Sequence, residues 1–240
     1  MFIEADTHCH TVASTHGYST IMEIATCAAE RGLKAVAITD HTPGNTDAPH
    51  IWHFHNLKKA IPRKIKGVSI IYGAESSIID YEGNIDFPEN ECAALDWIIA
   101  SIHRDMLKAG TVEQITNTYL KVAENPLIDV IGHPGTLAYP FDYEQCIAKF
   151  KECGKLVEIN ESSIKWKGTA DNFRKIAEIC KKIECPIVVN SDGHYCELTG
   201  EVPLSKKMLE EIDFPERLIL NADWDRLRRF INEKRGRELV

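Results

Sequence analysis

Short apolar segments alternate with amphipathic helical segments along almost the whole chain, and this alternation limits the folds available to it. Strands that alternate with helices form parallel sheets, because each helix carries the chain back to the start of the next strand. About seven such units favour a closed barrel over an open sheet, although periodicity alone does not separate the two. The predicted strands cover residues 2–10, 35–39, 68–75, 95–102, 128–131, 156–160 and 186–190, and the predicted helices cover residues 19–31, 111–124, 142–153, 169–183, 205–212 and 223–233.

The chain of 240 residues is long enough for one large domain, and no linker or tandem repeat divides it, so we predict a single domain over residues 1–240. Its net charge of -8 argues against non-specific nucleic-acid binding, which needs a basic surface. No apolar run approaches the roughly 20 residues that cross a membrane. The eight cysteines form no CxxC pair and the chain begins with a strand, not a signal peptide. We therefore expect a cytoplasmic protein without disulfides.

Histidines and acidic residues collect where the predicted strands end. His8 and His10 close the first strand, and residues i and i+2 of a strand point to the same face, so both imidazoles can reach one metal ion. Most of the other strand ends carry such a residue too, which scattered surface histidines are not expected to do. The carboxyl ends of parallel strands meet on one rim, where ligands bind. The set comprises His8, His10, His16, His41, Glu75, His103, His133, Asp192 and His194.

The composition of this set is typical of a metal cluster and not of a structural zinc finger, which would use thiolate pairs. Imidazoles and carboxylates bind zinc, manganese and iron, and zinc is the first expectation. Seven histidines and two carboxylates are too many for one ion, but they suit two or three divalent ions with a bridging carboxylate. Sites of that kind clamp a phosphate ester and generate hydroxide near neutral pH. The residues therefore predict metal-dependent hydrolysis of a phosphoester.

Several motifs together resemble those of the PHP (polymerase and histidinol phosphatase) family, over about residues 2–235. The likeness is strongest to the small stand-alone PHP phosphatases. It implies a distorted (β/α)7 barrel with a trinuclear metal site at the carboxyl ends of the strands. The motifs are Asp6-Thr7-His8-Cys9-His10 with His16 downstream, Ile38-Thr39-Asp40-His41, the strand end at Glu75, and Ser191-Asp192-Gly193-His194.

The resemblance also implies how the nine residues share three ions, since each family ligand position carries the expected residue type. On this basis the chain would hydrolyse small phosphomonoesters through a metal-activated hydroxide, without a protein nucleophile. The implied groups are His8, His10, Glu75 and Asp192 for the first ion, His16, His41 and His194 for the second, and His103 and His133 for the third, with Glu75 shared between the first and the third.

Asp192 and His194 are the candidate catalytic residues, because a carboxyl group or a histidine can protonate the leaving group. Two arginines are candidates for neutralising the phosphate. Two histidines lie in an irregular stretch, residues 45–62, which is either a substrate lid or a helix that packs its aromatic residues on the barrel. The candidate substrate-binding residues are Arg63, Arg104, His50 and His53.

Other functions stay open at this stage. A nuclease is one, since PHP domains also occur in DNA polymerases, but the acidic balance and the lack of a basic stripe argue against it. The filled ligand positions disfavour a non-catalytic metal-binding module. A metal-dependent amide hydrolase commonly brings a lysine to a strand end, and none stands at one here. The expected partner is a small phosphorylated substrate, while the identity of the three metal ions and the existence of a homo-oligomer are left open.

Overall fold

The structure, a computed structural model, describes residues 2–239, and eight strands of this part of the chain form one sheet. The strands are β1 (Ala5–Cys9), β2 (Ala35–Ile38), β3 (Lys64–Ile65), β4 (Val68–Ser77), β5 (Trp97–Ser101), β6 (Val130–Ile131), β7 (Leu156–Asn160) and β8 (Ile187–Asn190). Seven of them are parallel neighbours in the order β1-β2-β4-β5-β6-β7-β8, and β3 pairs with β4 in antiparallel orientation.

Side chains connect the two outer strands, β1 and β8, and bring the sheet close to a closed barrel. Asn190 Oδ1 accepts hydrogen bonds from Thr7 N at 2.9 Å and from Thr7 Oγ1 at 2.8 Å. Asn221 Nδ2 donates to the carbonyl oxygens of Ala5 at 2.8 Å and Val189 at 2.6 Å. These bonds satisfy strand groups that a continuous ladder would otherwise pair. The α/β barrel of parallel strands predicted from the alternation is confirmed.

Helices surround the sheet, most of them where the sequence predicts them. The first helix begins with a capping box between Thr20 and Glu23, which satisfies two backbone N–H groups at its amino end. None of the helices within residues 2–239 combines the length and apolar character needed to cross a bilayer. All eight cysteines are free thiols. The helices are α1 (Ile21–Glu30), α2 (Trp52–Ala60), α3 (Glu89–Ala94), α4 (Val112–Glu124), α5 (Tyr143–Glu152), α6 (Glu161–Ile164), α7 (Ala170–Ile183), α8 (Pro203–Glu211) and α9 (Trp224–Arg235).

The irregular stretch predicted at residues 45–62 contains helix α2, so the helix alternative is correct for its second half. Phe54 and Leu57 are buried on one face of α2, and Phe54 packs edge-on against Phe87. Trp52 and His50 stay exposed. The apolar face of α2 therefore packs onto the barrel, and only the preceding loop reaches the rim.

The barrel interior is apolar at its amino end and polar at its carboxyl end. Small and branched residues such as Ala5, Ile71 and Ile99 form a compact inner cluster with Trp97. Leu227 of helix α9 joins this cluster, so α9 covers the amino end of the barrel. The predicted ligand residues lie at the opposite rim, where the strands end.

Candidate metal centre

His8 and His10 lie at the end of β1 and turn their Nε2 atoms toward one point. The two Nε2 atoms are 3.1 Å apart, and both side chains are fully buried. Glu75 Oε2, at the carboxyl end of β4, lies 3.3 Å from each of them. Asp192 Oδ1, just past β8, lies 3.2 Å from His10 Nε2 and 3.6 Å from His8 Nε2. Four ligand atoms from three strands therefore face one small space.

The second oxygen of Glu75 faces a different pair of imidazoles. Glu75 Oε1 lies 2.9 Å from His133 Nε2 and 3.3 Å from His103 Nε2. His103 follows β5 and His133 follows β6, so both come from neighbouring strand ends. The single carboxylate of Glu75 thus lies between two groups of nitrogen atoms, one on each oxygen.

A third group lies on the solvent side of the first. The ring of His194 stacks on His10 and on His16, with centroids 4.2 Å apart in each case. His41 Nδ1 lies 3.1 Å from Glu75 Oε2. The sequence did not predict the acidic member of this group, Asp47, whose carboxylate contacts His16 Nδ1 and lies 3.9 Å from His41 Nε2.

The unpaired atoms at this rim fit bound cations. His10 Nδ1 and His194 Nε2 are buried without a hydrogen-bond partner, and the carboxylate of Asp47 faces ring nitrogens of His16 and His41. Buried nitrogen and oxygen atoms of this kind are costly unless something satisfies them. The facing Nε2 atoms of His8 and His10 also repel one another unless a proton or a metal ion lies between them. The donor set of imidazole nitrogens and carboxylate oxygens suits zinc, manganese or iron.

The electrostatics of the rim keep both carboxylates ionised. Burial opposes their ionisation, but the surrounding imidazoles outweigh it and hold the pKa of Glu75 and of Asp192 well below the usual range. Burial and the neighbouring His10 lower the pKa of His194 to about 4. The assignment of leaving-group protonation to Asp192 or His194 stays a prediction.

A second layer of side chains orients the imidazoles. Glu158, a fully buried residue of β7, accepts from His8 Nδ1 at 2.7 Å and from the backbone N–H of His133 at 2.7 Å. Ser77 Oγ lies 2.8 Å from His103 Nδ1. With one ring nitrogen occupied in this way, the other is free to face the centre, an arrangement typical of metal-bound histidines.

The backbone is strained at two of the predicted ligand positions. His133 has a φ of 27° and Asp192 a φ of 53°, values that residues with a Cβ atom rarely adopt. Such conformations persist only where the surroundings impose them, and they collect at functional sites. Here the left-handed turn follows a strand end in both cases and directs the side chain inward.

The cluster forms the floor of an open cavity of about 900 Å³. Arg104 lines this cavity, as predicted for a phosphate contact, and Lys167 lines it as a second cation that the sequence analysis did not single out. The acidic residues Asp47 and Asp105 also belong to the lining. The cavity therefore has positively and negatively charged side chains around the cluster and room for a ligand above it.

The structure corrects the prediction for Arg63, which lies at the amino end of the barrel. Its guanidinium is paired with Asp96, just before β5, and lies 3.8 Å from the ring centre of Tyr72. This is the end opposite the cluster, so Arg63 is not a phosphate contact. Arg63 follows the stretch 45–62 and directly precedes β3, a strand at the amino end of the barrel that the sequence did not predict.

The two histidines of the stretch 45–62 also lie outside the cavity lining. His50 is exposed at the start of α2, with its ring against Trp52. His53 Nε2 lies 3.0 Å from Asp40 Oδ2, so this side chain contacts a neighbour of the cluster and not the cavity. Asp40 in turn accepts from Thr11 N at 2.8 Å and so fixes the loop that carries His16. Neither histidine is placed to touch a substrate at the cluster.

Three residues that shape the centre escaped the sequence analysis: Asp47, Glu158 and Asn160. Asp47 lies in a loop, where no periodicity marks its direction. Glu158 and Asn160 did carry a signal, since polar residues at i and i+2 of an otherwise apolar strand point to one face. Asn160 Nδ2 donates to Glu158 Oε2 at 3.0 Å and to Asp192 Oδ2 at 3.2 Å, so the seventh strand end belongs to the centre as well.

Comparison with known proteins places this arrangement in a family. The PHP domain family matches residues 6–166. A probable phosphatase of Clostridium novyi is 43% identical over 231 residues, which are 95% of this chain and 94% of that protein. A probable phosphatase of Caldanaerobacter subterraneus is 42% identical over 235 residues, covering 97% and 92% of the two chains.

A solved structure shares the fold. The histidinol phosphate phosphatase of Lactococcus lactis, determined with zinc, L-histidinol and phosphate, superimposes with a TM-score of 0.63 over 90% of this chain and 95% of that one, at 15% sequence identity. At this identity the likeness extends to the fold alone. The family match and the two relatives go further, because they cover most of the chain at substantial identity. The chain belongs to the PHP domain family.

Proposed function

We propose that this protein is a metal-dependent phosphatase that hydrolyses small phosphomonoesters at a cluster of three divalent ions. One observation carries the proposal: Glu75 directs its two carboxylate oxygens to two separate groups of imidazoles, at 2.9 to 3.3 Å. A carboxylate in that position is suited to bridge two ions. The relatives named as probable phosphatases support the reaction class.

The proposal assigns the predicted ligands to three ions and adds one residue. Asp47 joins the second group because its carboxylate reaches both His16 and His41. When bound, ions in this setting activate water for attack and stabilise negative charge on a phosphate. The assigned groups are His8, His10, Glu75 and Asp192 for the first ion, His16, His41, His194 and Asp47 for the second, and His103, His133 and Glu75 for the third.

The other residues of the rim position the reacting groups. Glu158 orients the imidazole of His8, and Asn160 orients the carboxylate of Asp192. Arg104 and Lys167 supply positive charge where a phosphate dianion enters. In the reaction, water gives its oxygen to phosphorus, the phosphorus–oxygen bond to the alcohol breaks, and the alcohol leaves with a proton from that water. The products are the free alcohol and inorganic phosphate.

A nuclease fits these features less well. A strand of nucleic acid needs a basic track along its backbone, whereas the cavity is lined by Asp47 and Asp105 next to two cations, and the chain carries a net charge of -8. An amide hydrolase with a strand-borne lysine also fits poorly. Lys167, the lysine of the cavity lining, follows α6 and not a strand.

The proposal is tested by hydrolysis of methyl phosphate, followed as release of inorganic phosphate. We expect turnover by protein loaded with zinc, manganese or iron, loss of turnover after chelation, and recovery when metal returns. His10→Ala should lower turnover by orders of magnitude, because His10 belongs to the most buried group. Turnover that survives complete metal removal would require a protein nucleophile and would overturn the proposal.

A further inference from the structure

The cavity is larger than a phosphate group needs. Its volume of about 900 Å³ falls among pockets that enclose whole small ligands, which span about 300–1,000 Å³. The predicted metal ligands form the floor, so the walls above them would face the part of the substrate that becomes the leaving alcohol. The chemistry of those walls therefore carries information about the substrate.

One wall presents two large apolar side chains to solvent. Trp166 is 66% exposed and Leu137 is 54% exposed, and both line the same cavity as Glu75. A single exposed apolar residue needs no explanation. Two of them in the lining of one cavity, above a polar cluster, provide apolar surface that a ligand can cover.

The turn that carries Trp166 is fixed by its own hydrogen bonds. Thr169 Oγ1 donates to the carbonyl oxygens of Ser163 at 2.5 Å and of Trp166 at 2.8 Å, and Trp166 N donates to Ser163 O at 3.1 Å. Gly168 has a φ of +89°, and a Cβ atom there would approach Leu137 Cδ1 to 3.2 Å. The turn is thus held next to Leu137, and the backbone that carries the indole is fixed before a ligand binds.

Asn160 connects the same wall to a predicted metal ligand. Asn160 Oδ1 accepts from the backbone N–H of Ser163 at the start of α6, while its Nδ2 donates to Asp192 at 3.2 Å. One side chain therefore sets the position of a predicted metal ligand relative to the helix that leads to Trp166. A surface whose position is fixed relative to the cluster can orient a substrate whose phosphate is bound at the cluster.

We infer that Trp166 is a stacking surface for a flat aromatic ring in the leaving group, so that the preferred substrates are phosphomonoesters of alcohols that bear such a ring. An aromatic ring gains from offset stacking on the indole beyond the apolar area that it covers. Leu137 contacts the edge of the ring. This inference rests on the proposed phosphatase function and specifies its substrate class.

Two primary phosphate esters of similar size separate aromaticity from bulk: benzyl phosphate and cyclohexylmethyl phosphate. We expect the metal-loaded protein to prefer benzyl phosphate about 2- to 10-fold in kcat/KM. Trp166→Leu keeps an apolar side chain but removes the indole face, so it should abolish this preference, mainly by raising KM for benzyl phosphate. Trp52→Leu is the matched control, because Trp52 is equally exposed at 66% but lies outside the cavity lining.

Binding of benzylphosphonate and cyclohexylmethylphosphonate, measured by calorimetry on the metal-loaded protein, provides a readout independent of turnover. We expect the aromatic compound to bind more tightly to the wild type and equally to Trp166→Leu. Equal hydrolysis of both esters and equal binding of both phosphonates by the wild type would overturn the inference while leaving the phosphatase function intact. Tighter binding of benzylphosphonate without hydrolysis of any ester would overturn the proposed function and keep the aromatic site.

Discussion

His8 and Glu158 form a fully buried pair in which the imidazole Nδ1 lies 2.7 Å from the carboxylate Oε1. The other oxygen of Glu158 accepts from the backbone N–H of His133, also at 2.7 Å. Glu158 thus fixes the ring orientation of one predicted ligand and the backbone of another. Burial opposes the charge of Glu158, but His8 outweighs it and lowers the pKa of the carboxyl, so the pair is ionic in character.

Replacing Glu158 by Gln should weaken metal binding at the first group about 10- to 100-fold, because a neutral amide no longer raises the basicity of His8. Metal affinity, measured by competition with a chromophoric chelator, checks this. Glu161→Gln is the matched control: Glu161 is equally buried but accepts from Leu204 N and Ser205 N, away from the cluster. Equal metal affinity in both variants would show that Glu158 has no role in ligand orientation.

The number of ions bound depends on Glu75, since its carboxylate oxygens lie within 3.3 Å of ring nitrogens in all three groups. We expect about three ions per chain in the wild type and fewer in Glu75→Gln, with turnover reduced by orders of magnitude. Elemental analysis after gel filtration measures the stoichiometry. Glu91→Gln, which alters a carboxylate paired with His55 outside the cavity lining, should bind as many ions as the wild type. At most one ion in the wild type would contradict the trinuclear arrangement.

The sequence was sufficient for the fold class because strand and helix periods differ, and because parallel strands place all their carboxyl ends on one rim. That geometry explains why nine residues from distant positions could be grouped before their distances were known. His8 and Glu75 are 67 positions apart along the chain, yet their ligand atoms lie 3.3 Å apart. Their positions at strand ends were sufficient to predict that the two residues lie close together.

Residues on loops were harder to place, because no period fixes the direction of a loop side chain. Asp47 was missed for that reason, and Arg63 was assigned to the wrong end of the barrel because the two-residue strand β3 before Val68 gave no alternating pattern. Trp166 is exposed on a turn held by hydrogen bonds of Thr169, and the sequence displays neither the bonds nor the exposure. Periodic elements were thus predictable, whereas the walls of the cavity were not.

Metal binding should strengthen as the pH rises from 6.5 to 9. Burial lowers the pKa of His10, but hydrogen bonds to Asp192 and Glu75 more than reverse this and raise it from 6.5 to about 9 in the metal-free protein. A raised folded pKa means that the proton stabilises the metal-free fold below pH 6.5, and that this contribution is lost as the pH rises through 9. A metal ion has to displace the same proton.

The difference in Tm between manganese-loaded and metal-free protein should consequently grow across this range, with proton release on metal uptake near neutral pH. Differential scanning calorimetry at several pH values measures the Tm difference. His55→Gln should show the same trend, because His55 pairs with Glu91 away from the cluster. A Tm difference that stays constant or shrinks with rising pH would show that no protonated histidine competes with the metal.

Arg104 and Arg63 provide a paired test of the substrate path. Arg104 lines the cavity, so Arg104→Gln should raise KM for methyl phosphate several-fold, and added salt should diminish the difference from the wild type because it screens exposed charges. Arg63→Gln removes the ion pair with the buried Asp96 at the other end of the barrel. It should lower Tm, at a cost of about 1–3 kcal/mol in stability, and leave KM unchanged. The reverse pattern, with KM raised by Arg63→Gln and not by Arg104→Gln, would place phosphate entry at the wrong end of the barrel for this cluster.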